Sequence, residues 1–145
     1  MSDLIRSRLT RALELTDALA AQLTAEQLKR HNGAAPSNSI GAQFWCVVGA
    51  RESYTRAFEA GAWQGFACSL KEPEVPASVQ AALAASQAAL FAALDTASQP
   101  WDETRQHTLY DLLEHEAQHQ GQLIRYFYAN HIPFPPNFAK RYALS

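Results

Sequence analysis

Three features of the chain predict an all-α protein, a four-helix bundle with a short extra helix and a packed Pro-rich C-terminal tail. Apolar residues recur at helical spacing in four long segments. Proline and glycine clusters separate those segments. No stretch alternates apolar and polar residues as a half-buried strand would. The 145 residues fit one domain, 1–145, and leave little for a second.

The first segment runs from about Asp3 to Leu23, with Ile5, Leu9, Ala12, Leu19 and Leu23 on one face. Thr24-Ala-Glu-Gln27 reads as a capping box that opens a short helix to about Arg30. His31 to Ser37 is loop by composition. The second segment runs from about Ser39 to Ala60 and stops at Gly61. It carries a bulky lane (Ile40, Phe44, Val47, Tyr54, Phe58) and a lane of small residues (Ala42, Cys46, Ala50, Ser53, Ala57). Small side chains admit a close neighbour or leave room for a cavity. Gly61 to Pro76 is a long connection, of the kind that often folds over a site; Trp63 and Phe66 on it either roof a pocket or anchor the loop. The third segment, Ala77 to about Ser98, has alanine at ten of its 22 positions, and Pro100 ends it. The fourth is expected to start at Thr108 as N-cap and to run from Leu109 to about Ala129. Asn130 would take the left-handed position and Pro133 would bar continuation. The tail Ile132 to Phe138 is too apolar to hang free.

Composition removes several function classes. Twelve Lys and Arg against 14 Asp and Glu give a formal charge of −2, without the basic excess that a polyanion partner demands, so no nucleic-acid role is expected. The longest apolar runs, Phe44–Ala50 and Ala88–Leu94, are seven residues each, whereas a membrane span needs about 20. Asp3, Arg6, Arg8 and Arg11 break any signal-peptide core, and two cysteines make no disulfide framework, so a reducing cytoplasm is expected. Phosphate-binding glycine loops, a nucleophile elbow and a Cys-x-x-Cys pair are all missing from the sequence.

His115 and His119 stand four apart in the fourth segment. Residues i and i+4 share a helix face, so both imidazoles can reach one metal ion or, alternatively, sit as hydrogen-bonded core histidines. The spelling His115-Glu116-Ala-Gln-His119 also matches the zincin motif, with Glu116 as general base. That reading lacks its third ligand: no Asp or Glu follows Glu116, and the metzincin positions for Gly and His hold Gln122 and Arg125. Glu116 lies near the middle of the apolar strip and needs a partner if buried, such as a metal, a Tyr hydroxyl, a ligating histidine that it accepts from, or Arg51 in an ion pair. Gln43, one turn before Cys46, and Gln122, one turn after His119, are candidates to face a metal cavity. His31, His107 and His131 fall in loops or ends.

The pieces Ser39-Ile-Gly41 and His115-x-x-x-His119-x-Gly121-Gln-Leu123, in this order in a chain of this size, resemble the DinB/YfiT-like family. The likeness covers about Leu4 to Leu144. It implies a four-helix bundle that holds a metal with one histidine from the second helix and an H-x-x-x-H pair from the last. The second-helix histidine falls on Cys46 here. Cys46 is then either the third ligand, giving a Cys46, His115, His119 site, or a small buried hydrophobe. The resemblance further implies a divalent ion, zinc first and nickel or iron as alternatives, and a metal-dependent transferase of small thiols, or a hydrolase, acting on an electrophilic small molecule. The competing expectation is a non-catalytic or metal-free bundle with a binding, structural or stress-related role. An Ala-rich face on the third segment suggests a homodimer.

Overall fold

Leucines at the first helix's inner stripe decide how the chain begins: Leu9, Leu13 and Leu19 are completely buried. They lie on α1 (Ser2–Ala21) in a computed structural model that describes residues 2–145. The Thr24 capping box forms as expected, the Thr24 hydroxyl accepting from Gln27 N–H and the Gln27 side-chain Oε1 accepting from Thr24 N–H, and opens α2 (Ala25–Leu28). Ser39 caps α3 (Ile40–Ala60), and Gly61 closes it with φ 77°. Pro76 sits at the first position of α4 (Pro76–Thr96), where its missing N–H costs nothing. α5 (Glu103–Ala129) and α6 (Pro136–Tyr142) complete an all-α fold with no strand among the described residues.

Two local expectations need correction. The last long helix starts at Glu103, not Leu109. Asp102 is its N-cap, accepting from Arg105 N–H at 2.8 Å, while Thr108 donates its hydroxyl back to Thr104 C=O at 2.9 Å. Arg105 also donates to the carbonyls of Phe58 (2.8 Å) and Glu59 (3.1 Å), which ties the start of α5 to the end of α3. At the other end His131, not Asn130, takes the left-handed conformation, with φ 55°. Asn130 instead donates its side-chain amide to Tyr126 C=O and His31 C=O. The apolar tail does pack, and part of it is the helix α6: Phe138 is fully buried, and the Tyr142 hydroxyl donates to Gln120 Oε1.

α1 and α3 each pack against both α4 and α5, so the long helices enclose a common interior. That interior has two apolar clusters. One gathers Leu15, Leu19, Ile40, Phe44, Val47, Leu123, Phe127 and Phe138. The other gathers Ile5, Leu9, Phe58, Leu90, Leu94, Leu109 and Leu112. Between them, at the waist, lie the buried polar residues Arg51, Glu116 and His119. α4 is long and apolar enough, by length and composition, to cross a membrane, with mean hydropathy 1.4 over its best window. Alanine supplies much of that value, and Val79, Leu83, Leu90 and Leu94 turn inward to the interior clusters.

Candidate metal centre

α3 and α5 run antiparallel, because rising numbers on one meet falling numbers on the other: Gln43 meets Tyr126, Cys46 meets His115, and the Phe58 carbonyl meets Arg105. This pairing brings Gln43, Cys46 and Tyr54 of α3 against the histidine face of α5, while Ser53 of the small-residue lane turns instead to Ala67 on the long connection. Cys46, His115 and His119 converge there, each offering one donor atom, and these atoms all lie within 4.8 Å of one another. Cys46 Sγ stands 3.7 Å from His115 Nε2, and the two imidazole centroids are 4.5 Å apart.

The donor set suits a divalent ion of the zinc kind. Metal–nitrogen and metal–sulfur bonds of about 2.0–2.1 and 2.3 Å in a tetrahedron set donor–donor edges of about 3.3–3.6 Å. The 3.7 Å sulfur–nitrogen separation is close to that edge, and the 4.8 Å bound on the whole group leaves a closing shift of at most about 1.5 Å. His115 Nδ1 is buried without a hydrogen-bond partner, the state of a polar group whose environment is incomplete.

Burial is the main electrostatic force here. It lowers the His115 pKa, with the Glu116 carboxylate opposing it. It lowers His119 to about 4, helped by the neighbouring His115 and opposed by Glu116. Both rings are therefore neutral near pH 7, the form that donates a lone pair. Burial pushes the Cys46 thiol above its ordinary range, so a nearby cation is what would make it a thiolate.

Glu116 is not part of this group. It is completely buried, and both its oxygens face the Arg51 guanidinium, Oε2 accepting from Nε at 3.3 Å and Oε1 accepting from Nη2. Arg51 is also fully buried. It donates to Leu13 C=O and Leu83 C=O, each at 3.2 Å, and lies 3.0 Å from Asp17 Oδ1. One cation thus joins α1, α4 and α5 to α3. Glu116 thus stands as the ion-pair partner of Arg51, and among the described residues it makes no hydrogen bond to His115 or His119.

Gln43 and Gln122 separate. Gln122 is exposed on α5, whereas Gln43 is buried with Oε1 at 2.6 Å from His119 Nδ1. Trp63 and Phe66, both about half exposed, each find an aromatic neighbour. Trp63 rests on Tyr54 (5.3 Å), whose ring lies 6.4 Å from that of His115. Phe66 rests on Trp45 (5.3 Å) over Gly49, where a Cβ would meet the Phe66 ring at 2.3 Å. The remaining histidines are elsewhere: His31 bonds Ser37 C=O, His107 sits beside Glu103, and His131 is exposed.

Sequence reasoning missed Asn38, Tyr54 and Tyr126. Tyr126 was findable, since it lies seven residues after His119 and therefore on the same face of α5. Tyr54 was read only as bulk. Asn38 precedes the helix cap and carried no signal. Neither a protein-family model nor a curated protein matches the chain.

Proposed function

We propose that this chain is a divalent-metal-binding protein, a four-helix bundle of the DinB/YfiT-like type, with Cys46, His115 and His119 as ligands and zinc as the ion. The observation that carries the reading is the meeting of three soft or borderline donors, from two antiparallel helices, within 4.8 Å. Three protein ligands leave one position of a tetrahedron open, the layout of catalytic rather than structural zinc sites. A bound divalent ion supplies Lewis acidity, which makes a small thiol or a water molecule nucleophilic at neutral pH. On this reading the protein transfers a small thiol to an electrophilic molecule, or hydrolyses it, in a reducing cytoplasm.

The chain's own residues prepare the site in definite ways. Burial keeps both imidazoles unprotonated. Gln43 braces His119 through Nδ1. Glu116 is turned to Arg51, and of the three donors the Cys46 sulfur is the one that can carry negative charge. Tyr54 and Trp63 form an aromatic wall beside His115, on which an apolar part of a substrate can rest.

Elemental analysis of the purified protein tests the reading. About one equivalent of metal is expected, falling sharply in Cys46→Ser and His119→Ala. Full occupancy in Cys46→Ser with loss in His119→Ala would show that the sulfur is not a ligand. A protein that takes up no ion, even when zinc is offered, would favour the metal-free alternative. Comparing holo and metal-stripped protein with a thiol and a panel of electrophiles then separates an enzyme from a binder. The dimer reading rests on α4, which leaves Ala81, Ala84, Ala85, Ala88 and Ala89 exposed, and sedimentation velocity tests it.

A further inference from the structure

We propose that Gln43 is a positioning residue: its side-chain carbonyl holds His119 in the Nδ1–H tautomer and so presents the Nε2 lone pair to Cys46 and His115. The inference deepens the metal-binding reading and rests on it for its purpose, but its geometry stands alone.

A carboxamide has one accepting end and one donating end. Which end meets the imidazole is decided by what holds the other. Gln43 Nε2 lies 2.9 Å from Asn38 Oδ1 and 3.4 Å from the Tyr126 hydroxyl. The Tyr126 hydroxyl itself donates to Asn38 Oδ1 at 2.6 Å. Its proton is spent there, so it offers Gln43 only a lone pair. Both neighbours at this end accept, and the amide nitrogen faces them. The carbonyl oxygen then falls 2.6 Å from His119 Nδ1, and an acceptor at that distance requires an N–H.

The opposite polarity would keep the bonds but silence His119 as a ligand. It would set the Gln43 N–H against the imidazole, reverse the bonds to Asn38 and Tyr126, and put a proton on His119 Nε2. That proton would point at the other two donors and leave no lone pair for an ion. Gln43 is only 5% exposed and His119 7%, so the carboxamide and not water is the partner of Nδ1. Ligating histidines generally hand their second nitrogen to a carboxylate, a carbonyl or water. Here a neutral carboxamide fills that place, and the chain that sets its direction runs from the residue before the α3 cap to the far end of α5.

The test begins with metal-free protein. Long-range ¹H–¹⁵N correlation at neutral pH, with the His119 signals assigned from a His119→Gln variant, reads which ring nitrogen carries the proton. The expected result is a protonated Nδ1 in the wild type and loss of that preference in Gln43→Leu, with Gln43→Met as the substitute if that variant does not fold. Gln43→Glu keeps an acceptor and is expected to restore the tautomer. In parallel, zinc affinity by chelator competition is expected to fall about 10–100-fold in Gln43→Leu and to be recovered in Gln43→Glu. A wild-type His119 protonated on Nε2 would overturn the proposal, as would Gln43→Leu with unchanged tautomer and unchanged zinc affinity. A wild type with the expected tautomer that takes up no zinc would instead overturn the metal reading and leave the positioning role supported.

Discussion

Replacing Arg51 by methionine should be among the most damaging single changes in this protein. The guanidinium is fully buried, and its N–H groups are committed to Glu116, Leu13 C=O and Leu83 C=O, with Asp17 Oδ1 at 3.0 Å. Methionine fills much of the volume but leaves the buried Glu116 carboxylate without a countercharge. Breaking a buried pair from one side costs about 3–5 kcal/mol. Against a typical total of about 5–15 kcal/mol, that is a large share. With a urea slope of about 2 kcal/mol/M, the unfolding midpoint should fall by about 1.5–2.5 M. The control is Arg51→Met combined with Glu116→Leu. It removes both charges, so it should regain at least half of the loss, about 2 kcal/mol. Circular dichroism in urea on metal-free protein reads all the variants. A midpoint shift below about 0.5 M in Arg51→Met, or a double variant no better than the single one, would refute the claim that the pair is energetically closed at the waist. If Arg51→Met does not accumulate, Arg51→Lys keeps the charge and should lose less.

Three further outcomes follow from the geometry. Metal-free protein should lose stability as pH falls from about 6.5 toward 4. The folded His119 pKa is about 4 and the unfolded one about 6.5, so the unfolded chain binds the extra proton and stability is complete only above that window. His115 acts with the same sign, while Asp17, raised by burial, acts with the opposite sign above pH 3.8. Urea midpoints between pH 7.5 and 5 should therefore drop less in His119→Gln than in the wild type; equal slopes would contradict the assignment. Gly41→Ala and Gly121→Ala should move stability in opposite directions. A Cβ at Gly41 would lie 2.3 Å from Pro73 O, a backbone atom, and should cost about 1–3 kcal/mol, whereas nothing lies within 4 Å at Gly121 and helix propensity should add about 0.5–1 kcal/mol. Thermal melts decide the signs. Asp102→Ala should lower stability by about 1 kcal/mol and Thr108→Ala by much less, because Asp102 is the cap that accepts from the α5 backbone. Equal effects would return the helix start to Thr108.

The helices were legible because their information is local. Apolar spacing, the Thr24 box, the Ser39 cap and the Gly61 stop act within a turn or two of themselves, and no distant partner is needed to read them. The start of α5 was misread although its cap is local, since Asp102 accepts from Arg105 N–H three residues on; only the tie from Arg105 to the carbonyls at the end of α3 lies outside the local sequence. At the centre, spacing alone put His115 and His119 on one face of a helix. Cys46 came from a likeness to a family pattern, and only the antiparallel approach of α3 and α5 brings its sulfur to 3.7 Å from an imidazole nitrogen. Glu116 and Gln43 show the division most sharply. Glu116 was the residue expected to brace a ligating histidine or to pair with Arg51, and Gln43 was expected only to face a metal cavity. Helical phase turns Glu116 to Arg51 and the network at Asn38 and Tyr126 aims Gln43 at His119, and these are relations among helices that no single stretch of sequence contains.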